Sequence, residues 1–191
     1  MISKWKYKNL EFSFIKEKQI AQIVEILHDP KVEKYLWFAP LRLEGLKGFC
    51  MPLIKQQEKA FAQGKYPGSA TFIVTKNGKM LGTCGVDKIP DGHNVAMIGY
   101  QLRASAWGKG VGTSCAEFLL YYVKSFLNYR KIYGDCYTSN VASAKVLEKC
   151  GFKLEAVIKE KYELDGELHD NSWYGLNVKD IRQLSDVVEV E

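Results

Sequence analysis

Between Glu17 and His28 the apolar residues Ile20, Ile23, Val24 and Leu27 recur at three- and four-residue spacing, the period of an amphipathic helix, and the run stops at Asp29-Pro30. Residues 31–68 mix aromatics, glycine and proline around a predicted helix at 44–63. Ala70 to Thr75 is an apolar, β-rich run that meets Asn77-Gly78, and Met80 to Val86 follows directly. Asn-Gly supplies the positive φ angles of a two-residue hairpin loop, so these segments read as paired antiparallel strands. Asp91-Gly92 ends that pair, and Val95 to Leu102 reads as a third strand.

The period then changes. From Thr113 to Leu127 the apolar residues Cys115, Phe118, Leu119, Tyr122, Val123 and Phe126 mark one face of a helix. Lys131 to Tyr137 reads as a short strand, and Asn140 to Lys149 is helical again, with Ser143, Val146, Leu147 and Cys150 on one side and Gly151 as its stop. Lys153 to Tyr162 and Glu167 to Val178 are two strands around Asp165-Gly166, a further hairpin turn. A helical start, antiparallel strands, a strand–helix–strand–helix section and a closing hairpin predict a mixed α/β (α+β) domain with one central, mostly antiparallel sheet flanked by helices. No repeat or linker divides residues 1–191, and the expected core spans about 5–178.

Composition narrows the function classes. The 191 residues are 47% hydrophobic and 26% charged, which excludes a disordered or collagen-like chain. The charge of 27 − 22 = +5 is mild, and no Lys/Arg run exceeds two, so no nucleic-acid partner is expected. The opening Met1-Ile-Ser-Lys-Trp-Lys-Tyr-Lys lacks the apolar centre of a secretory signal, and no stretch reaches the roughly 18 apolar residues of a membrane span, so a soluble cytoplasmic protein is expected. Cys50, Cys84, Cys115, Cys136 and Cys150 are odd in number and lack metal-ligand spacing, which reads as reduced, mostly buried thiols and no metal. Mild basicity leaves room for a local anion site.

That site falls on Gln101-Leu-Arg-Ala-Ser-Ala-Trp-Gly-Lys-Gly-Val-Gly-Thr113, between a strand and a helix, where three glycines are spaced by two. Glycines let the backbone approach a bulky anion, and the free N–H groups of a helix's first turn point at it. A nucleoside-triphosphate loop is excluded, because none of the Gly-Lys pairs at 64–65, 78–79 and 108–109 is followed by Ser or Thr. A dinucleotide-binding loop fits poorly, since its third glycine would fall at Thr113, although Asp135 stands where that fold's ribose-binding acid would. A loop that merely turns the chain is the plainest alternative.

Trp107-Gly108-Lys109-Gly110-Val111-Gly112-Thr113 resembles the acyl-coenzyme A loop of the GNAT N-acetyltransferases, and Ile98-Gly99-Tyr100-Gln101-Leu102 is similar to the strand before it. Asn140-Val-Ala-Ser143-Ala-Lys-Val-Leu-Glu-Lys149-Cys-Gly151-Phe152 resembles a second segment of that family. The likeness covers roughly residues 5 to 178 and looks closest to the ribosomal-protein N-terminal acetyltransferase branch. It implies acetyl-coenzyme A as co-substrate, held by Gln101, Leu102, Arg103, Trp107, Gly108, Lys109, Gly110, Val111, Gly112 and Thr113, with Asn140 and Ser143 on pantetheine and Lys145 near the adenosine phosphates. Asn140 serves equally as a helix N-cap, and the two roles are compatible.

The reaction implied is direct attack of a neutral primary amine, a peptide N-terminus or a small amine, on the acetyl thioester, which needs a base, oxyanion donors and an acid near the departing sulfur. Many relatives place Tyr where this chain has Leu147, and Ser143 is the substitute acid in the resembling branch. Met97 and Tyr162 stand where that branch often has Glu; the base is therefore left among Glu163, Asp170, Asp87, His93 and a water relay. Those two departures keep open a coenzyme A-binding module without turnover. Tyr35, Trp37 and Phe38, in the aromatic cluster Tyr35–Pro40, either wall the acceptor groove or pack under a loop. A monomer or homodimer is expected.

Overall fold

The chain opens on a hairpin. In the computed structural model, which describes residues 1–38, 42–90, 93–164 and 166–190, Lys4–Tyr7 (β1) and Leu10–Phe14 (β2) pair antiparallel with Trp5 opposite Phe12. Trp5, Tyr7, Leu10, Phe12 and Phe14 all point into the core, so the alternation of Lys with aromatic residues is the two-residue period of a strand. The helical start predicted from sequence is thereby corrected; strands of four and five residues are too short for periodicity to declare them.

A short 3-10 turn leads into Ile20–Leu27 (α1), which buries Ile20, Ile23, Ile26 and Leu27. Asp29-Pro30 does more than stop that helix. The Asp29 carboxylate accepts from the Lys31 N–H at 3.0 Å and Pro30 takes the first helical position, so the pair starts Pro30–Glu33 (α2). Leu43–Ala62 (α3) follows and turns Leu46, Cys50 and Ile54 inward.

Ala70–Lys76 (β3) and Lys79–Lys88 (β4) are joined as predicted, with Asn77 and Gly78 at φ 50° and 73°. Asp91-Gly92 lies outside the described residues, as does Asp165 of the second predicted turn. Then come Val95–Leu102 (β5), Val111–Phe126 (α4), Lys131–Tyr137 (β6), Val141–Lys149 (α5), Lys153–Leu164 (β7), Glu167–Asn177 (β8) and Val187–Val190 (β9). β9 pairs with β1, which carries the sheet past the expected limit at 178. The five cysteines are free, and all but Cys150 are buried.

The sheet order is β7-β8-β6-β5-β4-β3-β2-β1-β9, antiparallel throughout except for β5 and β6, which run parallel around α4. One face carries α4 and α5 over a core that includes Trp5, Phe12, Phe72, Phe118 and Tyr122; the other carries α1 to α3 over Ile15, Ile73 and Met80. This pair, the only parallel one among the described residues, is also incomplete. β5 and β6 are matched at Val95–Lys131, Ala96–Ile132 and Met97–Tyr133, after which Ile98 to Leu102 has no partner on β6. The strands part there, leaving a wedge between the two helical layers.

The far side of β5 is held tightly. A Cβ on Gly82 of β4 would lie 2.1 Å from the Gln101 carbonyl oxygen and 2.8 Å from Leu102 Cα, both backbone atoms that cannot swing away. Gly82→Ala is expected to destabilise the fold by about 1–3 kcal/mol, the usual cost of overpacking, and to disturb the strand that borders the wedge. Urea unfolding checks it; an unchanged midpoint would mean that β5 yields freely.

Candidate active site

Past Leu102 the chain passes a 3-10 turn at Ala104–Ala106, and Gly108 and Gly110 adopt φ 70° and 76° before α4 begins. Those left-handed angles are why glycine is needed at both positions. No side chain caps α4, so its first-turn N–H groups face outward. A cavity of about 530 Å³ lies there, lined by Lys8, Lys109 and Lys149 together with Gly110, Val111 and Thr113. The cavity has a basic lining at a helix N-terminus, a place that favours anions, with Lys8 held by Glu117 at 2.8 Å and Lys149 beside it. Lys145, expected beside the phosphates, is exposed and is not among the lining residues; Lys149, one turn on, is.

Other members of the predicted set brace the loop. Trp107 Nε1 donates to the Leu102 carbonyl at 3.0 Å, Lys109 Nζ to the Ser105 carbonyl at 2.8 Å, and Arg103 Nε to the Met80 carbonyl at 3.2 Å. Gln101 Oε1 accepts from the Thr83 hydroxyl at 3.1 Å, and Leu102 is buried. Gly112 packs near Tyr100 and Val146, bringing α4 close to β5 and α5.

α5 contributes the next group. Asn140 Oδ1 accepts from the Ser143 N–H at 3.2 Å, the N-cap role weighed from sequence. Ser143 Oγ lies 2.9 Å from the Tyr100 hydroxyl, so a pair of hydroxyls links α5 to the unpaired part of β5. Burial foremost and the nearby Asp135 charge push the Cys136 thiol up to about 11, against the lowering effect of the neighbouring Ser143 hydroxyl. Burial likewise raises Tyr100, a shift that the Ser143 bond opposes, so all three groups are neutral at pH 7. Leu147 is 2% exposed against Gly134, where a Cβ would meet it at 2.7 Å; that position is core.

The opposite face of the wedge is aromatic. Trp37, 59% exposed, reaches from beyond α2 to stack on Tyr162 of β7 at 5.6 Å and 4°. Tyr162 in turn lies 5.6 Å from Tyr137, which stacks on His169 at 5.1 Å. Tyr35 approaches Trp107 of the glycine loop at 6.2 Å, and Phe38 packs on the α1–α3 core. Ala39 and Pro40 lie outside the described residues. The predicted cluster is thus divided between wall and packing.

Among the proposed bases, Asp170 is committed: it holds Lys159 at 2.7 Å and accepts the Glu160 N–H at 3.0 Å, which lowers its pKa. Glu163 is exposed near the β7–β8 turn, the His93 carbonyl accepts from Arg130, and Asp87 sits opposite Met97 on β4. Burial raises the Asp87 pKa, and it does the same for a carboxyl that the sequence offered only as a ribose-binding acid. Asp135 lies two residues beyond the last β5–β6 pair, and burial raises its pKa against the Lys161 charge and an Asn171 hydrogen bond. The available signal was the alternation Tyr133, Asp135, Tyr137.

A parallel strand pair that opens beside a glycine-bounded helix start, with hydroxyls at its throat, defines an acyl-transfer scaffold. The chain belongs to the GNAT acetyltransferases: the family model "Acetyltransferase (GNAT) domain" matches residues 9–153. An uncharacterized N-acetyltransferase, p20, from Bacillus licheniformis is 26% identical over 148 residues, covering 78% of this chain and 81% of that protein. Two solved structures share the fold. Mycobacterium smegmatis RimJ in complex with CoA-disulfide has a TM-score of 0.77 at 18% identity, covering 95% of this chain and 89% of its own. Spermidine N-acetyltransferase from Vibrio cholerae in complex with CoA and spermine has a TM-score of 0.74 at 18% identity, covering 90% and 96%.

Proposed function

We propose that the protein transfers an acetyl group from acetyl-coenzyme A to a primary amine, by direct attack of the neutral amine. The observation that carries this reading is the wedge, flanked by the α4 N-terminus on one side and the Tyr100–Ser143 pair at its throat. Bound acetyl-coenzyme A supplies an activated acyl thioester. In this reading the N–H groups from Gly108 to Thr113 hold its pyrophosphate, the Trp107 N–H being held by the Ala104 carbonyl at 3.1 Å, with Lys149 and Lys109 completing the charge and Lys145 reaching toward the adenosine phosphates. The stretch of β5 that β6 leaves uncovered, at Gln101 and Leu102, receives the amides of pantetheine, Arg103 flanks it with its N–H held by the Leu81 carbonyl at 2.8 Å, and Asn140 meets them from α5. Ser143 protonates the leaving sulfur. The RimJ and spermidine acetyltransferase structures, each in complex with a coenzyme A species, support the same assignment, and the second, solved with spermine, supports a small amine as one acceptor class beside a peptide N-terminus. No described helix is long and apolar enough to cross a membrane.

Thermal-shift titration tests the cofactor. Acetyl-coenzyme A at 100 times its Kd should add about 2.7 kcal/mol of stability and NAD none; the reverse result would sink the reading. Gly110→Val places a branched side chain at φ 76°, a conformation that costs L residues about 1–2 kcal/mol, so coenzyme A affinity should fall about tenfold or more in a folded variant. Unchanged affinity would place the phosphates elsewhere.

A further inference from the structure

We propose that Asp135, Asn171, Tyr162 and Trp173 form a seat for the primary ammonium of the acceptor, that Lys161 occupies this seat as an internal surrogate, and that Asp135 is the base that deprotonates the incoming amine. The inference rests on the acetyltransferase reading above and assigns the acceptor half of its site.

Lys161 Nζ lies 4.8 Å from the Tyr162 ring centre and 4.7 Å from that of Trp173, and donates to Asn171 Oδ1 at 3.4 Å. Asn171 is 1% exposed and pairs with Tyr137 two positions along from the Asp135–Trp173 pair, so the buried amide that holds the ammonium lies on the same face of the sheet as the carboxylate. Two aromatic faces, an amide oxygen and a carboxylate are the groups that recognise an alkylammonium. The strand register delivers Lys161 to them. Between the pairs Ile158–Asn171 and Tyr162–His169, β7 advances four residues while β8 advances two, and the resulting bulge turns at Glu160 with φ 50°. Asp170 clamps its outer side through Lys159 and the Glu160 N–H.

Two buried donors beside the seat have no hydrogen-bond partner among the described residues. One is the hydroxyl of Tyr137, two residues along β6 from Asp135 and 4% exposed; the other is Nε1 of Trp173, which pairs with Asp135 across β6 and β8. Of the two, the Tyr137 hydroxyl can accept from an incoming ammonium, while Trp173 offers it a ring face. The location suits the acceptor. Asp135 follows the point where β5 and β6 part, it alternates in β6 with Gly134 and Cys136 of the Ser143 face, and the Trp37–Tyr162 stack forms the outer rim.

The chemistry balances. As the acceptor R–NH₃⁺ displaces Lys161, Asp135 takes one proton to give R–NH₂ and a neutral carboxylic acid. The nitrogen lone pair forms the C–N bond to the acetyl carbon, the C–S bond breaks, and the sulfur takes a proton from Ser143. The second proton of the attacking nitrogen passes through water to the Ser143 oxygen, restoring that hydroxyl and leaving R–NH–CO–CH₃ and a thiol, and Asp135 then releases its proton to solvent. Lys161 from β7 is the charge acting on Asp135; Asn171 and Trp173 from β8 and Tyr133 and Tyr137 from β6 are neutral neighbours, with Met97 across on β5. Burial raises the Asp135 pKa and Lys161 lowers it, so losing the Lys161 charge moves the titration upward.

The test is calorimetric binding of butylammonium, with 1-butanol as the uncharged control, to the full chain and to Lys161→Met, Tyr162→Leu and Lys161→Met/Asp135→Asn. A seat filled nine-tenths of the time by Lys161 predicts about tenfold tighter butylammonium binding in Lys161→Met, with no gain for 1-butanol. Asp135→Asn should erase that gain, and Tyr162→Leu should weaken binding. Lowering pH should weaken it in Lys161→Met as Asp135 takes up its proton, and circular dichroism establishes that each variant is folded. Equal butylammonium affinity in the wild-type protein and Lys161→Met, or an equal gain for 1-butanol, would overturn the seat. Coenzyme A titrations of the same proteins separate the two readings: no coenzyme A binding with an intact ammonium response overturns the acetyltransferase, and the converse overturns the seat.

Discussion

Ser143→Ala is expected to lower kcat by about 10²-fold while coenzyme A affinity changes little, the behaviour of a group that acts mainly in the transition state. The hydroxyl is placed for it: the Asn140 cap fixes the start of α5, and Tyr100 holds Ser143 Oγ at 2.9 Å. Leu147 is part of the core, so no side chain at that position competes for the role. Tyr100→Phe leaves Ser143 in place but unanchored, and should cost less than Ser143→Ala. A Ser143→Ala loss confined to KM would make Ser143 a binding residue, and full activity would mean that water protonates the sulfur. If Tyr100→Phe costs more, the phenol is the acid.

The helices were legible because their signals are long. Leu43–Ala62 and Val111–Phe126 differ from expectation by a residue or two, since several turns of apolar spacing average out local noise. Asn77-Gly78 predicted its hairpin because few residue pairs tolerate two successive positive φ angles. β1, β2 and β9 were missed: at four to five residues each they carry too few alternations, and β9 is stabilised by pairing with β1 at the other end of the chain.

The site divides along the same line. The glycine loop and the Asn140–Ser143 segment are local, so the loop's glycine spacing and the segment's resemblance to the family could both be read along the chain. The Tyr100–Ser143 pair, Lys149 in the anion cavity and the Lys161–Asn171–Asp135 cluster each join residues from different elements, and only the strand order brings them together. Tyr162 shows the difference well. In sequence it is a missing glutamate, and in the fold it is the ring on which Trp37 stacks.

The missed hairpin also carries the largest expected loss of stability. Trp5 of β1 is 0% exposed and lies within 5.5–6.3 Å, ring centre to ring centre, of Phe14, Tyr66, Phe72, Phe118, Tyr122 and Phe126. Three of these rings belong to α4, the helix whose N-terminus bounds the anion cavity. Trp5→Ala would leave a void among rigid rings from two strands, the α4 helix and the Tyr66 segment, none of which can collapse into it without breaking other contacts. The expected cost is about 3–5 kcal/mol. At about 2–4 °C per kcal/mol for a chain of this size, that lowers the unfolding temperature by roughly 6–20 °C. Trp5 Nε1 has no hydrogen-bond partner among the described residues, so Trp5→Phe sheds an unsatisfied donor along with part of the ring and should lose less. Calorimetric unfolding of the two variants separates the contributions. A shift of only a degree or two for Trp5→Ala would mean that β1 frays before the rest of the domain unfolds, and that α4 is anchored by Phe72 and Phe12 without it.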